Sequence, residues 1–389
     1  MVGGKEHRVE GRRAGSRAFA ARDLGKRIFI TTDIEGDSIP GAEVAKHKLG
    51  GEDYVHPDSV SGNRKHTLKL LCYDTDTGKM LWEQTAYEGK VYDNRHRKNT
   101  YASPTAVTDG KSVFAYFESM GLYSFSMDGK LLWKASAGNI ASLGLGAGTS
   151  PLLAGDLIVI QSDQDLGENS FIAAFSKADG KMAWRTKRAI QFSFATPVLA
   201  GGLIVASGNE AIIAYDPKTG SEVWQTPGLN ANVVNTPLVA DGLVIVSTGY
   251  PTKKTLALRI APGAKERVAW KYEKGTAYVP SPILYRGLLY LMTDTGILTC
   301  LDPQTGQPKY EGKRLPVPAK FTASPVAFDG KLFLTSEDGD TFVVKAGVEH
   351  EVLATNAIGE PVYASLAPAG NSIYLRGDKH LFRIARASH

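Results

Sequence analysis

Five tryptophans recur at near-regular intervals along the chain. Trp82, Trp133, Trp184, Trp224 and Trp270 stand 51, 51, 40 and 46 residues apart, and Tyr310 follows 40 residues later. Self-similarity at a period of about 20–50 residues marks a solenoid, a propeller or an array, so one unit must be repeated many times. A glycine precedes the aromatic by four residues in Gly78/Trp82, Gly129/Trp133, Gly180/Trp184, Gly220/Trp224 and Gly306/Tyr310. At about 100–200 residues per domain, 389 residues alone would imply two or three domains. The repeat replaces that reading with a single domain over residues 1–389.

Aligning the segments defines the unit. It begins with a small residue, Ser or Thr, and Pro, as in Thr149-Ser150-Pro151, Ala195-Thr196-Pro197, Asn235-Thr236-Pro237, Pro280-Ser281-Pro282 and Ala323-Ser324-Pro325. A turn with Asp-Gly or Gly-Gly follows, then two apolar β-rich runs such as Leu203-Ile204-Val205-Ala206 and Ile212-Ile213-Ala214-Tyr215, then a Thr-Gly turn and a strand ending in Trp. Short β-branched runs punctuated by glycine turns are the pattern of antiparallel hairpins, and no stretch sustains a helical period. The chain is therefore expected to be all-β: a single eight-bladed β-propeller of four-stranded antiparallel blades. Blade one is expected from about residue 18 to 85, and the next six to begin near 100, 147, 193, 233, 278 and 321. The eighth runs from Tyr363 to Ile384 and lacks an outer strand. An open strand edge invites aggregation, so residues Lys5–Glu10 are expected to supply the missing strand and close the ring.

This unit resembles the pyrroloquinoline quinone (PQQ) repeat, whose blades end in Tyr-Asp-x-x-Thr-Gly-x-x-x-Trp. Tyr73-Asp74-Thr75-Asp76-Thr77-Gly78 to Trp82 and Tyr215-Asp216-Pro217-Lys218-Thr219-Gly220 to Trp224 are near-complete copies. The resemblance spans almost the whole chain and implies that the tryptophans tie neighbouring blades together. It also implies candidates for activity. Quinoprotein dehydrogenases of this superfamily hold their cofactor against adjacent cysteines, but here only Cys72 and Cys300 exist, far apart in sequence. PQQ is therefore not expected as a cofactor. The same superfamily contains a non-catalytic propeller scaffold that helps assemble outer-membrane barrels. The first blade departs from the repeat, with Arg17-Ala18-Phe19-Ala20 where Ser-Pro is expected.

Composition narrows the partners. Two cysteines exclude a disulfide framework or a four-thiolate metal site. No window approaches 18 consecutive apolar residues, so no membrane span is expected. A net charge of +5 does not by itself point to nucleic acid. The basic N-terminal stretch lacks the apolar run of a secretory signal; the family resemblance makes a periplasmic or secreted location the expectation if the start is truncated. The ring is expected to act as a monomer.

In a four-stranded blade, the loops from strand two to three and from strand four to the next blade share one face, here called the top face. Nearly all sequence that departs from the repeat falls there, and loops on a rigid scaffold are where function concentrates. The largest departure is an expected insertion at 33–66 in blade one, rich in acids and histidines. With the following loop it supplies a candidate metal set of Asp33, Glu35, His47, His56, His66 and His96. Imidazole and carboxylate together suit a divalent ion such as Zn, Mn or Ca, able to generate hydroxide at neutral pH. Asp93 is the candidate proton shuttle, and Arg95 and Lys320 are the candidates for stabilising developing negative charge. Asp163, Asp165 and Glu168 form a possible second cation loop, though without the spacing of an EF-hand. Tyr101, Gln191, Phe194, Asn232, Tyr278 and Tyr363, at or near the inner strands, are expected to line a funnel for a small anionic or polar molecule. Gly144, Gly146 and Gly148 form a Gly-x-Gly-x-Gly run, but no helix follows to make it a dinucleotide fingerprint.

Three functions follow. The first is a metal-dependent hydrolase of an ester or phosphoester, built on the top face. The alternative is a non-catalytic scaffold that binds a protein or other ligand, and the third is a quinoprotein dehydrogenase.

Overall fold

A computed structural model describes residues 6–9, 26–146, 148–165 and 167–385, with the backbone alone described for 6–9. Arg17–Ala20 and most of the basic N-terminal stretch lie outside the described residues. The chain forms eight antiparallel sheets in sequence order around a ring, and the only helical element among the described residues is a 3-10 turn at Glu118–Met120. Blades two to seven each contain four consecutive strands. Blade one contributes Arg27–Ser38, Arg64–Asp74 and Met80–Lys90 among the described residues.

Blade four shows how the repeat encodes the blade. Gly201 and Gly202 take φ of +57° and +80°, which joins Val198–Ala200 to Leu203–Ala206 by a tight hairpin. The middle strands, Leu203–Ala206 and Ala211–Tyr215, are buried almost throughout because sheets pack on both of their faces. That is why they read as continuous apolar runs. The outer strand Glu222–Pro227 packs on one face only, so mainly Trp224 is buried.

The Asp-x-x-Thr-Gly signature builds the turn before each outer strand. Asp216 Oδ1 accepts the backbone N–H groups of Lys218 and Thr219, and Gly220 takes φ +71°. Asp74 and Asp302 cap the same turn in blades one and six. The glycine has a second reason to be glycine. A Cβ on Gly180 would lie 2.5 Å from the Trp133 ring, and one on Gly306 would lie 2.6 Å from Trp270. Trp82, Trp133, Trp184 and Trp270 thus rest on the turn glycine of the following blade, whereas Trp224 carries the Arg267 guanidinium over its ring at 4.2 Å. The indole N–H bonds donate into the following blade as well: Trp82 to Met127 O, Trp133 to Lys177 O, Trp184 to Pro217 O, Trp224 to Ile260 O and Trp270 to Pro303 O.

The Ser/Thr-Pro element ties the blades near the axis. Ser150, Thr196, Ser281, Ser324 and Ser365 hydroxyls each accept a backbone N–H from the preceding blade. Closure follows the expected route. Glu6–Val9 pairs antiparallel with Leu381–Ala385, from Glu6 opposite Ile384 to Val9 opposite Leu381, completing blade eight as β-sheet. Between blades eight and one, the Tyr374 hydroxyl and Arg383 Nε both donate to Thr75 O at 2.7 and 3.1 Å.

Candidate functional site

The blade-one departure differs from a simple loop at 33–66. Its flanks continue the ladder, with Asp33 opposite Leu68 and Glu35 opposite His66, so both ends of that range are strand. Extended strands raise a ribbon above the ring, and Met80–Lys90 lengthens to match. The segment between Ser38 and Arg64 holds two short pairings of its own, His47–Leu49 with Glu52–Tyr54 and Ser59–Val60 with Arg95–His96. The second pairing joins the segment to the loop leading into blade two. Further bonds fasten it there: Ala45 N–H to Tyr92 O, Arg97 N–H to Asp58 O, Gly62 N–H to Asn94 Oδ1 and Ser59 Oγ to Gly144 O. The glycine run finds its role in this close approach. Gly144 and Gly146 take φ of +69° and +76°, and a Cβ on either would crowd Ser59 or Arg95; one on Gly148 would lie 2.6 Å from Phe194 Cβ.

His47 is the centre of the assembly. It is buried, with Nε2 2.8 Å from Asp93 Oδ1 and Nδ1 2.6 Å from Asp165 Oδ2. Burial opposes its protonation, but the hydrogen bonds and charges of Asp165 and Asp93 prevail and raise the imidazole from 6.5 to about 9. An imidazolium bonded on both nitrogens has no lone pair for a metal. The remaining acceptor positions of the acids are occupied too. Asp93 Oδ2 receives the Ser142 N–H at 2.9 Å, and Asp165 Oδ1 receives the Leu143 N–H at 2.5 Å. One residue of the blade-one segment thereby clamps the loops of blades two and three.

The other candidate ligands meet at most in pairs, His66 with Asp33 and His56 with His96 at 5.9 Å between rings, and none of them joins His47. His66 is fully buried with Nδ1 2.8 Å from Asp33 and Nε2 3.0 Å from Ser61 O. His56 Nδ1 accepts the Asp58 N–H and His96 Nδ1 accepts the Lys98 N–H, at 3.1 Å each. Those bonds occupy Nδ1 of each ring. Burial lowers the His96 pKa against the pull of Asp58, which sits 3.3 Å from its Nε2. Glu35 accepts from Ser61 and from Arg95 Nη2 at 2.8 Å and pairs with Arg64. Among the described residues no group of three or more His, Cys, Asp or Glu is arranged to hold a metal.

The roles assigned to charged residues change in the same way. Asp93 is a structural acceptor whose two oxygens are filled, rather than a free shuttle. Arg95 is engaged by Glu35 and by Asn99 O, and Lys320 is exposed near Glu337 in blade seven, where Lys98 reaches the same carboxylate at 2.7 Å. The second cation loop does not form. Asp163 is held by Arg188 at 2.7 and 3.1 Å, Asp165 belongs to His47, and Glu168 is exposed.

The proposed funnel residues separate as well. Tyr101 is buried with its hydroxyl on Asp93 O and its ring edge-on to His66, so it supports the ribbon rather than lining a mouth. Asn232 and Tyr278 do meet, the amide 3.5 Å from the phenol, with the Tyr250 ring tilted against Tyr278 at 5.6 Å between centroids. Gln191 lies near Glu210, whose carboxylate accepts its backbone N–H. Phe194 and Tyr363 are half-buried in different blades.

Two concavities escaped the sequence reading. The larger, about 550 Å³, lies where the blade-one segment meets blade two and includes Val44, Tyr87, Val91 and Met120, with Glu43 and Lys90 at its rim. The smaller, about 20 Å³, lies between blades two and three beside Tyr116, Glu118, Gln161, Ser162, Asp163 and Phe194. Burial, with the charge of Asp93 adding to it, pushes the Glu118 carboxyl up to about 8. The sequence singled out Asp163 and Phe194 of the smaller one but not the cavity itself, since each cavity draws on strand and loop residues far apart in the chain. The cysteines are inert: each lies opposite the aromatic of the outer strand, and burial pushes Cys72 to about 12 and Cys300 to about 11. No helix among the described residues is long and apolar enough to cross a membrane.

A family model described as outer membrane protein assembly factor BamB matches residues 55–167 and 168–388. No curated protein matches the sequence. Among solved structures, BamB from Moraxella catarrhalis superposes with a TM-score of 0.60 at 14% identity, over 91% of this chain and 98% of that one. The computationally designed Ika8 protein superposes at 0.61 and 10% identity, over 90% of this chain and 98% of its own. A europium-containing methanol dehydrogenase gives 0.58 at 11% identity, over 88% and 84%. At these identities the likeness is one of fold.

Proposed function

The chain belongs to the PQQ-repeat propeller family described as outer membrane protein assembly factor BamB, and from that premise we propose that it is a non-catalytic scaffold that binds a protein partner during outer-membrane protein assembly. The observation that carries this reading is the saturation of the top face. Its histidines and acids bond to one another and to backbone, as in His47 between Asp93 and Asp165. That arrangement fixes a surface by engaging the His47 nitrogens and the Asp93 and Asp165 carboxylates in hydrogen bonds. No specific contact favours the metal-dependent hydrolase, and nothing in the funnel favours a small anionic ligand over a protein.

A rigid surface is what a recognition scaffold requires, because partners that are ordered beforehand lose less entropy on binding. The groove beside Val44, Tyr87, Val91 and Met120 is the concavity best suited to an apolar side chain of that partner, with Glu43 and Lys90 flanking it for charged neighbours. Work of this kind would be done on the periplasmic side of the outer membrane. Removing the chain from the organism that encodes it should lower the amount of folded outer-membrane β-barrels, and restoring it should recover them. Unchanged barrels would count against the reading.

A further inference from the structure

The outer wall of the ring is unevenly apolar. Each outer strand leaves a turn on the face opposite the top. In blades one to three it opens with one sequence pattern: Gly78-Lys79-Met80-Leu81-Trp82, Gly129-Lys130-Leu131-Leu132-Trp133 and Gly180-Lys181-Met182-Ala183-Trp184. Met80, Leu81, Leu131, Leu132 and Met182 are each between 43% and 48% exposed. The residue before each tryptophan is the extra residue of a β-bulge: Trp82 pairs with Cys72 and Met80 with Tyr73, while Trp133 pairs with Ser124 and Leu131 with Phe125. A bulge re-aims a side chain, which is how two consecutive residues reach solvent where a regular strand would alternate. In blade four Ser221 and Glu222 replace the lysine and the first apolar residue, and the pattern ends.

The three patches join into a belt. Trp82 rests on Gly129 and Trp133 on Gly180, the residues just before Lys130 and Lys181, so each ring fills the interval to the next blade. Trp82, Trp133 and Trp184 are half-buried, whereas Trp224 and Trp270 are buried. The belt also carries surplus positive charge. Its turn acids are already countered, Asp76 by Lys26 at 2.6 Å, Asp128 by Arg27 at 3.1 Å and Asp179 by Lys181 at 3.1 Å. Lys79, Lys130 and Lys134 are exposed, and no ion pair engages them among the described residues.

A continuous exposed apolar surface marks contact with a protein or a membrane. Shape and charge favour the membrane. The belt runs along the outside of the ring, and neither concavity described above includes its residues, whereas protein interfaces centre on side chains fitted into pockets. Tryptophan beside aliphatic side chains, with lysines reaching past them, is the composition that lodges between lipid headgroups and acyl chains. We infer that this belt docks the ring, by the rim opposite the top face, onto a membrane surface rich in anionic phospholipid. Met80, Leu81, Leu131 and Leu132 enter the headgroup layer, and Lys79, Lys130 and Lys134 meet the phosphates. Docking by this rim leaves the top face open and requires no protein partner.

Co-sedimentation of the full chain with phosphatidylcholine vesicles, with or without phosphatidylglycerol, provides the test. Binding to the anionic vesicles that weakens with added salt is the expected result, with tryptophan emission quenched by bromine-labelled acyl chains. At about a fivefold loss per lysine, Lys79→Gln/Lys130→Gln/Lys134→Gln should lower the affinity about a hundredfold. Leu81→Ser/Leu132→Ser should lower it with the lysines intact. Both variants change exposed side chains only, so their melting temperatures should stay near that of the wild type. No sedimentation with either vesicle, or equal sedimentation with both, would overturn the docking. Binding that both variants retain in full would assign it to the basic stretch at residues 5–17 and overturn it too.

Discussion

His47 Nδ1 and Asp165 Oδ2 lie 2.6 Å apart although 118 residues separate them in the chain. The contact joins a departure in blade one to a loop in blade three, across the intervening blade. With Asp93 on the other nitrogen, it holds together the part of the top face that differs most from the repeat.

Removing one member of a buried, paired set leaves the others uncompensated, at about 3–5 kcal/mol. His47→Ala should therefore lower the free energy of unfolding by about that amount and open the region between Ser38 and Arg64 to limited proteolysis. Chemical denaturation and protease mapping check both effects. A variant as stable and as protease-resistant as the wild type would show that the clamp contributes nothing.

The same group sets a pH dependence. The imidazole titrates near 6.5 when unfolded and at about 9 when folded, so protonation favours the folded state. Its contribution is complete below pH 6.5, declines between 6.5 and 9 and is gone above, amounting to about 3 kcal/mol from a change of 1.36 kcal/mol per unit. The stability difference between wild type and His47→Gln should shrink over that window. A difference that stays constant from pH 6 to 10 would contradict the assigned charge.

The inter-blade glycines make a paired test. Gly180→Ala forces a Cβ to within 2.5 Å of Trp133 at φ +72° and should cost several kcal/mol. Gly155→Ala has a similar φ of +62° with nothing within 4 Å, so only backbone strain of about 1 kcal/mol applies. Denaturation midpoints separate the two. Equal losses would mean that the tryptophan does not rest on the glycine.

Deleting residues 1–12 removes the strand Glu6–Val9 and leaves Leu381–Ala385 as an open edge. The melting temperature should fall sharply and the protein should associate at high concentration, as scanning calorimetry and light scattering would record. Unchanged melting would refute ring closure by that strand.

The ring was legible because its cues are local. A turn aspartate, its glycine and the tryptophan lie within nine residues in Asp216–Trp224, and each has its partner in the same blade or the next. The site was not legible in that way. Asp33 and His66 look like parts of a loop in one dimension, yet they sit in a ladder whose length only pairing reveals. Histidines and acids close together in sequence resemble ligands. Their hydrogens decide otherwise, because Asp58 and Lys98 backbone N–H groups and the Asp93 and Asp165 carboxylates occupy the ring nitrogens. The Glu118 cavity has no local motif, since its walls combine strand and loop residues from Tyr116 to Phe194.

The scaffold reading meets its most direct test in the organism itself, in a strain lacking the chain and carrying either the wild type or a Val44→Asp/Met120→Asp variant. The measurement is the amount of folded β-barrel protein in the outer membrane. The account predicts a deficit without the chain, full recovery with the wild type and poor recovery with a variant that folds but charges the groove. Normal barrel levels in the strain without the chain would contradict it.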